Sequence, residues 1–159
     1  MQLVLEAIVD RLIEKVDEWT LSTCFFSDAP GVGPAPPGDL FCTVSPGESV
    51  FSDLFAGGGI ETLHERGSVV VSVFSRLQLD GDGRAQARWF DARRGLLSRY
   101  KPRVLKALLV DWEPQSAGQR LLRDPLYPVA SSAPERMTDG DVSFVRLSLT
   151  FGMSFDWTL

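Results

Sequence analysis

FVRLSLTFGMSFDWTL, residues 144–159, carries the clearest structural signal in the chain. Taken by twos, one side reads Val145, Leu147, Leu149, Phe151, Met153, Phe155 and Trp157. The other side reads Phe144, Arg146, Ser148, Thr150, Gly152, Ser154 and Asp156. Alternation this long marks a β-strand with one apolar and one largely polar face. Chain ends usually fray, so such a strand is expected to be central in its sheet, its odd-numbered face under helices. Burying seven large side chains at roughly 1.5–3 kcal/mol each outweighs fraying.

Working backwards, VVVSVFSRLQL (69–79) is a second strong strand, with Val69, Val71 and Val73 on one face. Ser72, Arg76 and Gln78 lie on the other, beside Val70 and Phe74. LFCTV (40–44) reads as a short strand closed by the turn-like SPGES. FAGGGIETLHERG (55–67) reads as a glycine-rich turn followed by an edge strand. The four prolines and three glycines of SDAPGVGPAPPGD (27–39) predict a loop. Residues 113–141, with four further prolines, predict a long connection with one extended piece at LLRDPLYPV.

Helical spacing appears at residues 2–18, where Val4 or Leu5, Ile8, Leu12 and Val16 form a stripe with the acids displaced from it. A second helix is expected over 83–99, capped by Asp82, with Ala85, Trp89, Ala92 and Leu96 inward and Phe90 and Leu97 at the stripe's edges. Pro102 suits the first turn of a further helix, VLKALLVDW. The order helix, strands, helices, connection, strand predicts one α+β domain over 1–159, with a mixed or antiparallel sheet and helices on one face.

Bulk properties narrow the function. At 159 residues, 44% hydrophobic and 23% charged, the chain has the composition of one globular domain. No run approaches a membrane span, and the amphipathic, acidic N-terminal segment lacks the layout of a signal peptide, so the chain reads as cytosolic and mature. Cys24 and Cys42 with the lone His64 do not supply a zinc set, and they read as reduced, semi-buried thiols. AGGGI (56–60) lacks a phosphate loop's GK[ST] and reads as a turn. DGDGR lacks the calcium loop's later ligands. His64 between Glu61 and Glu65 is the minimum kit for a general base, but no nucleophile or second acid stands beside it in sequence. No catalytic residues, metal or cofactor are called for.

Charge is unevenly placed. The net −5 conceals an acidic segment, Glu6, Asp10, Glu14, Asp17 and Glu18 against Arg11 and Lys15. It also conceals a basic one, Arg84, Arg88, Arg93, Arg94, Arg99, Lys101, Arg103 and Lys106 against Asp91 alone. Three readings fit the basic segment: nucleic-acid binding, a solvated face, or contact with the acidic helix of another subunit. The chain's acidic balance, and aromatics that follow the apolar stripe, weigh against nucleic acid.

Four stretches together resemble one family, the tail terminator (tail completion) proteins of long-tailed bacteriophages and related prophages. They are TVSPGESVFSDLFAGGGIE (43–61), VVVSVFSRLQLD (69–80), FDARRGLLSRYKPRVLKALL (90–109) and LSLTFGMSFDW (147–157). The resemblance implies a non-enzymatic virion protein, made in the host bacterial cytoplasm, that forms a hexameric ring on the tail tube. Such a ring stops tube polymerisation and meets the head connector, with DNA at most passing through its lumen. It leaves open another neck or head-completion protein of similar fold. Under this reading the interface candidates are Glu6, Asp10, Glu14, Arg84, Arg88, Arg93, Arg94 and Arg99, because a head-to-tail ring needs two different, complementary patches per subunit.

Overall fold

The computed structural model describes residues 1–28, 38–51, 62–77, 85–139 and 142–158. The elements are α1 (Gln2–Lys15), β1 (Cys24–Phe26), β2 (Leu40–Phe51), β3 (Thr62–Leu77), α2 (Ala85–Gly95) and α3 (Lys101–Leu109). They continue with β4 (Gln115–Ser116), β5 (Gln119–Arg120), β6 (Tyr127–Ser131), β7 (Glu135–Asp139) and β8 (Val142–Thr158). A π-helical turn, Leu96–Tyr100, joins α2 to α3. The fold is α+β, with a mixed sheet ordered β1-β2-β3-β8-β6 and β7 also paired to β8.

The terminal strand is central, as its alternation predicts. β8 pairs antiparallel with β3 without a break from Thr62↔Thr158 to Leu77↔Ser143. Its other edge is shared by β7 near Val142–Arg146 and β6 near Leu149–Gly152. Val145, Leu147, Leu149, Phe151, Met153 and Phe155 are buried in one core with Val69, Val71, Val73, Cys42 and Val44. α1, α3 and Leu96 of the π turn cover that face through Leu5, Ile8, Leu12, Val104 and Leu108. Trp157, expected inside with them, is 44% exposed.

The opposite face departs further from expectation. Phe144, placed on the polar side by its parity, is fully buried there in a second cluster with Phe41 and Phe74. Phe25, Met137 and Val142 pack around the three rings. Next to this cluster the Ser72 and Ser148 hydroxyls hydrogen bond at 3.0 Å across β3 and β8.

Strand boundaries also moved. β2 does not stop at Val44 but runs through Pro46 to Phe51. The Cys42 N–H donates to Thr23 O at 2.7 Å, and Val44 O accepts from the Ser27 N–H at 2.9 Å, so even-numbered residues of β2 address β1. Pro46 is next in that series, past the end of β1, where its missing N–H has nothing to serve. A register shift between Pro46 and Ser49 then absorbs the irregularity. Residues 62–67, expected at an edge, lie inside the sheet, with Glu65 paired to Phe51 on one side and Phe155 on the other. The predicted connection 113–141 holds four strands, the β4–β5 hairpin and the β6 and β7 partners of β8. At two to five residues each, they are too short to carry a periodic signal. β6 bends between Pro128 and Ala130, and the Tyr127 ring lies over Gly152, where an added Cβ would sit 2.2 Å from Tyr127 Cζ.

α1 ends at Lys15, earlier than the predicted 18, with Val16 extended at φ −120°. Asp17 and Glu18 would place two carboxylates on the negative end of the helix dipole. Pro102 stands in the first turn of α3, as expected, but α3 follows directly on the π turn and α2 rather than after a break. Lacking an N–H, Pro102 would leave a carbonyl one turn back unpaired, and the turn before it widens so that the Lys101 N–H donates to Leu96 O. The turns predicted at 56–60 and 80–83, and the Asp82 cap, lie outside the described residues.

Candidate interaction surfaces

The helical layer carries the two charged patches on different helices. Glu6, Asp10 and Glu14 are all exposed on α1. Glu6 accepts a hydrogen bond from Gln2 Nε2 at 3.0 Å. Asp10 and Glu14 border a concavity of about 360 Å³ with Asp111, Trp112 and Glu113. Glu14 is flanked by Lys15 at 2.7 Å and Arg11 at 3.2 Å, and their hydrogen bonds hold its carboxyl below the usual glutamate range. Arg11 in turn lies over the Trp112 ring, 5.7 Å from its centroid, and its Nε–H donates to Ala107 O at 3.1 Å, tying α1 to α3.

On α2, Arg93 and Arg94 are exposed while Arg88 is half-buried. Arg94 pairs with Asp91 at 2.7 Å. Phe90, expected at the edge of the buried stripe, is instead 50% exposed and lines a groove of about 420 Å³ with Arg93, Arg94, Leu97 and Ser98. Among the described residues no ion pair joins Glu6, Asp10 or Glu14 to Arg93, Arg94 or Arg99. Arg84 lies outside the described residues.

Arg99 belongs to a different arrangement, which charge counting missed. Glu18 is clamped inside the chain by Arg99 and by Arg103 at 2.7 Å. The π turn sets this up, bringing Tyr100 to stack on buried Trp19 with ring centroids 5.9 Å apart. Part of the basic segment thus closes on the end of its own acidic segment. Partial burial pushes the Glu18 carboxyl up, but the hydrogen bond from its own backbone N–H and those from the Arg103 and Arg99 side chains prevail and hold it below the glutamate range. Burial foremost, and then the Glu18 charge, raise the Tyr100 hydroxyl against the opposing arginines. Because Glu18 titrates lower when folded than when unfolded, the clamp is complete above the ordinary glutamate range and is lost as pH falls through the lower, folded value. Urea midpoints measured from about pH 6 down to about pH 3 should therefore fall less steeply in Glu18→Gln than in the wild type. Parallel acid limbs would show that the clamp contributes nothing to stability.

A third surface is apolar. Where β2, β3 and β8 run past the helices, Phe51 (58%), Trp157 (44%) and Leu3 of α1 (52%) are exposed. Phe51, Glu65 and Phe155 form one cross-strand row, and Leu63 and Trp157 the next, on the helix-facing side. Trp157 Nε1–H donates to Glu65 Oε2 at 2.8 Å, and a cleft of about 300 Å³ opens among Met1, Leu3, Leu121, Phe155 and Trp157. Val50 and Phe51 escaped notice in the sequence because they follow a segment that reads as a turn.

His64 and Glu65 point to opposite faces of β3, so they do not form the acid–base pair that their adjacency offers. His64 Nδ1 instead meets Asp156 of β8, with Arg123 Nη1 at 3.2 Å. Glu61 lies outside the described residues. Among the described residues no group of three or more His, Cys, Asp or Glu is arranged to hold a metal. No described helix is long and apolar enough to cross a membrane.

No family model and no curated protein matches the chain. Solved structures that are similar along nearly all of it include these two. One, named only by a sequence identifier, is 18% identical over 96% of this chain and 94% of its own, with a TM-score of 0.42. The other, from the virion of a native gene transfer agent particle, is 16% identical over 97% of this chain and 98% of its own, with a TM-score of 0.43. At these values neither likeness bears on function.

Proposed function

We propose that the chain is a non-enzymatic structural subunit of a phage-like virion, a tail terminator or a close neck relative. Copies assemble head to tail into a ring, six-fold in the family it resembles. The ring caps the tail tube, ends its polymerisation and meets the head connector. The observation that carries this reading is the charge division of the helical layer. The exposed acids of α1 and the exposed Arg93 and Arg94 of α2 find no ion pair with each other inside one chain. Two complementary patches on separate helices are what a heterologous, ring-closing contact requires. The exposed apolar end at Leu3, Phe51 and Trp157 offers a separate surface for a second protein of the virion.

Light scattering over a concentration series, with negative-stain imaging alone and with tail tubes added, tests the reading. Six-fold rings, free or on tube ends, are the expected result. A monomer throughout that leaves tube ends bare overturns it.

One observation favours a second reading. Phe90 stands exposed between arginines rather than in the core, as a base-stacking side chain on a basic groove would. Binding to single-stranded nucleic acid that weakens steeply with salt would support this alternative, and a flat response at low salt would remove it.

A further inference from the structure

Cys24 of β1 and Cys42 of β2 stand opposite each other in the parallel register of these strands. Both are fully buried and both are free thiols. Both side chains enter the helix-facing core, so they lie on the same side of the sheet. Neighbouring strands run about 4.8 Å apart, within the roughly 4.4–6.8 Å that a disulfide spans between Cα atoms. Expected to be semi-buried, both thiols are fully buried, and the fold makes them a pair.

One member of the pair, Cys24, is on the strand at the margin of the sheet. β1 has three residues and, among the described residues, occupies the sheet's edge with β2 as its one partner strand. Short edge strands open locally at a fraction of the free energy of global unfolding. The cysteines also stand at the two roots of the proline-rich stretch 27–39, one before it and one after it.

We propose that Cys24 and Cys42 are an oxidative modification site, closed to an intrachain disulfide by low-molecular-weight disulfides of the glutathione class. When β1 opens, the Cys24 thiol loses its proton to solvent and its sulfur attacks one sulfur of the oxidant. The oxidant's S–S bond breaks, one glutathione thiolate leaves, and a mixed disulfide remains on Cys24. The Cys42 thiol then loses its proton and attacks the Cys24 sulfur, expelling the second glutathione thiolate. Two protein thiols are oxidised by two electrons, and one oxidised glutathione is reduced to two thiols. Cys24 takes the first step because it lies on β1, the strand that opens, whereas Cys42 stays on β2 between β1 and β3. The finished bond fastens β1 to β2 and closes a ring through residues 24–42, which restricts the unfolded chain.

The test incubates the folded, full-length chain with oxidised glutathione in native buffer, then alkylates it after denaturation and measures intact mass. Expected is a monomeric product two hydrogens lighter that takes up no alkylating agent, with a higher urea midpoint than the reduced protein. Cys24→Ser and Cys42→Ser should stop at the mixed disulfide or remain unmodified. Two alkylated thiols in the treated wild type, or a disulfide between chains, would overturn the proposal. So would an oxidised form that unfolds at lower urea than the reduced one, since that places the two sulfurs out of native register. Mass is readable whether or not the serine variants fold, so each arm gives a result.

Discussion

Phe144→Ala is expected to lower the free energy of unfolding by about 3–5 kcal/mol, on the scale of the largest core truncations. By the alternation of β8 this ring belongs to the polar side, where such a change would be nearly silent. It is instead fully buried, edge-on to Phe41 with centroids 5.5 Å apart. Phe41 in turn stacks on Phe74 at 4.6 Å. Besides the lost transfer energy, the deletion removes an aromatic contact of about 0.5–1.5 kcal/mol. It also leaves a void that cannot close readily, because Phe41, Phe74 and Phe144 are fixed on β2, β3 and β8, three paired strands. Against a typical domain stability of about 5–15 kcal/mol, the loss is severe. Urea unfolding of Phe144→Ala beside Phe51→Ala is the measurement. The second change removes a 58% exposed ring and should stay within about 0.5 kcal/mol. Should the alanine variant not fold, Phe144→Leu still reports, with an expected loss of roughly 1–2 kcal/mol. A loss below about 1 kcal/mol for Phe144→Ala would mean that the second cluster is loosely packed.

Phe144 also shows where sequence reading stops. Alternation identified β8, the Val69–Val73 part of β3 and the α+β class, because a long period-2 or period-3.6 pattern has few other readings. Alternation assigns a side chain to a face, but it does not say what covers that face. The π turn defeated extrapolation in another way. Buried Leu96, Val104 and Leu108, with half-buried Tyr100 between, fall four residues apart rather than about 3.6. A stripe carried straight on from Trp89 therefore mislays Arg99, which clamps Glu18 inside the chain. Pro46 looked like a terminator, but its effect depends on which way its backbone nitrogen faces, and that is fixed by β1, a partner distant in sequence. For the candidate interface, counting charges located the acidic and basic segments. Only the fold separates arginines spent within the chain from those facing outward.

Reversing Arg93 and Arg94 together to glutamate is expected to abolish ring formation while leaving the subunit folded. Both side chains are exposed. The ion pair lost from within the chain is Arg94–Asp91 at three residues' spacing, an arrangement worth about 0.3–0.5 kcal/mol. Thermal and urea unfolding should therefore hardly move. Across an interface the same reversals turn attraction into repulsion, and single changes at close interfacial charge pairs cost roughly 2–5 kcal/mol. That is a loss of affinity of roughly 30-fold to several-thousand-fold at each contact. A ring repeats the contact at every subunit boundary, so its concentration threshold should move out of reach. The decisive arm is the compensating change. Glu6→Arg with Asp10→Arg should by itself weaken assembly, and combined with the reversed arginines should restore it, because complementarity returns with opposite sign. Rings forming from the Arg93/Arg94 variant at wild-type concentrations would remove α2 from the interface. Loss in both single-patch variants without recovery in the combination would mean that each patch binds something else. The head-to-tail pairing of α1 with α2 would then be wrong even if a ring exists.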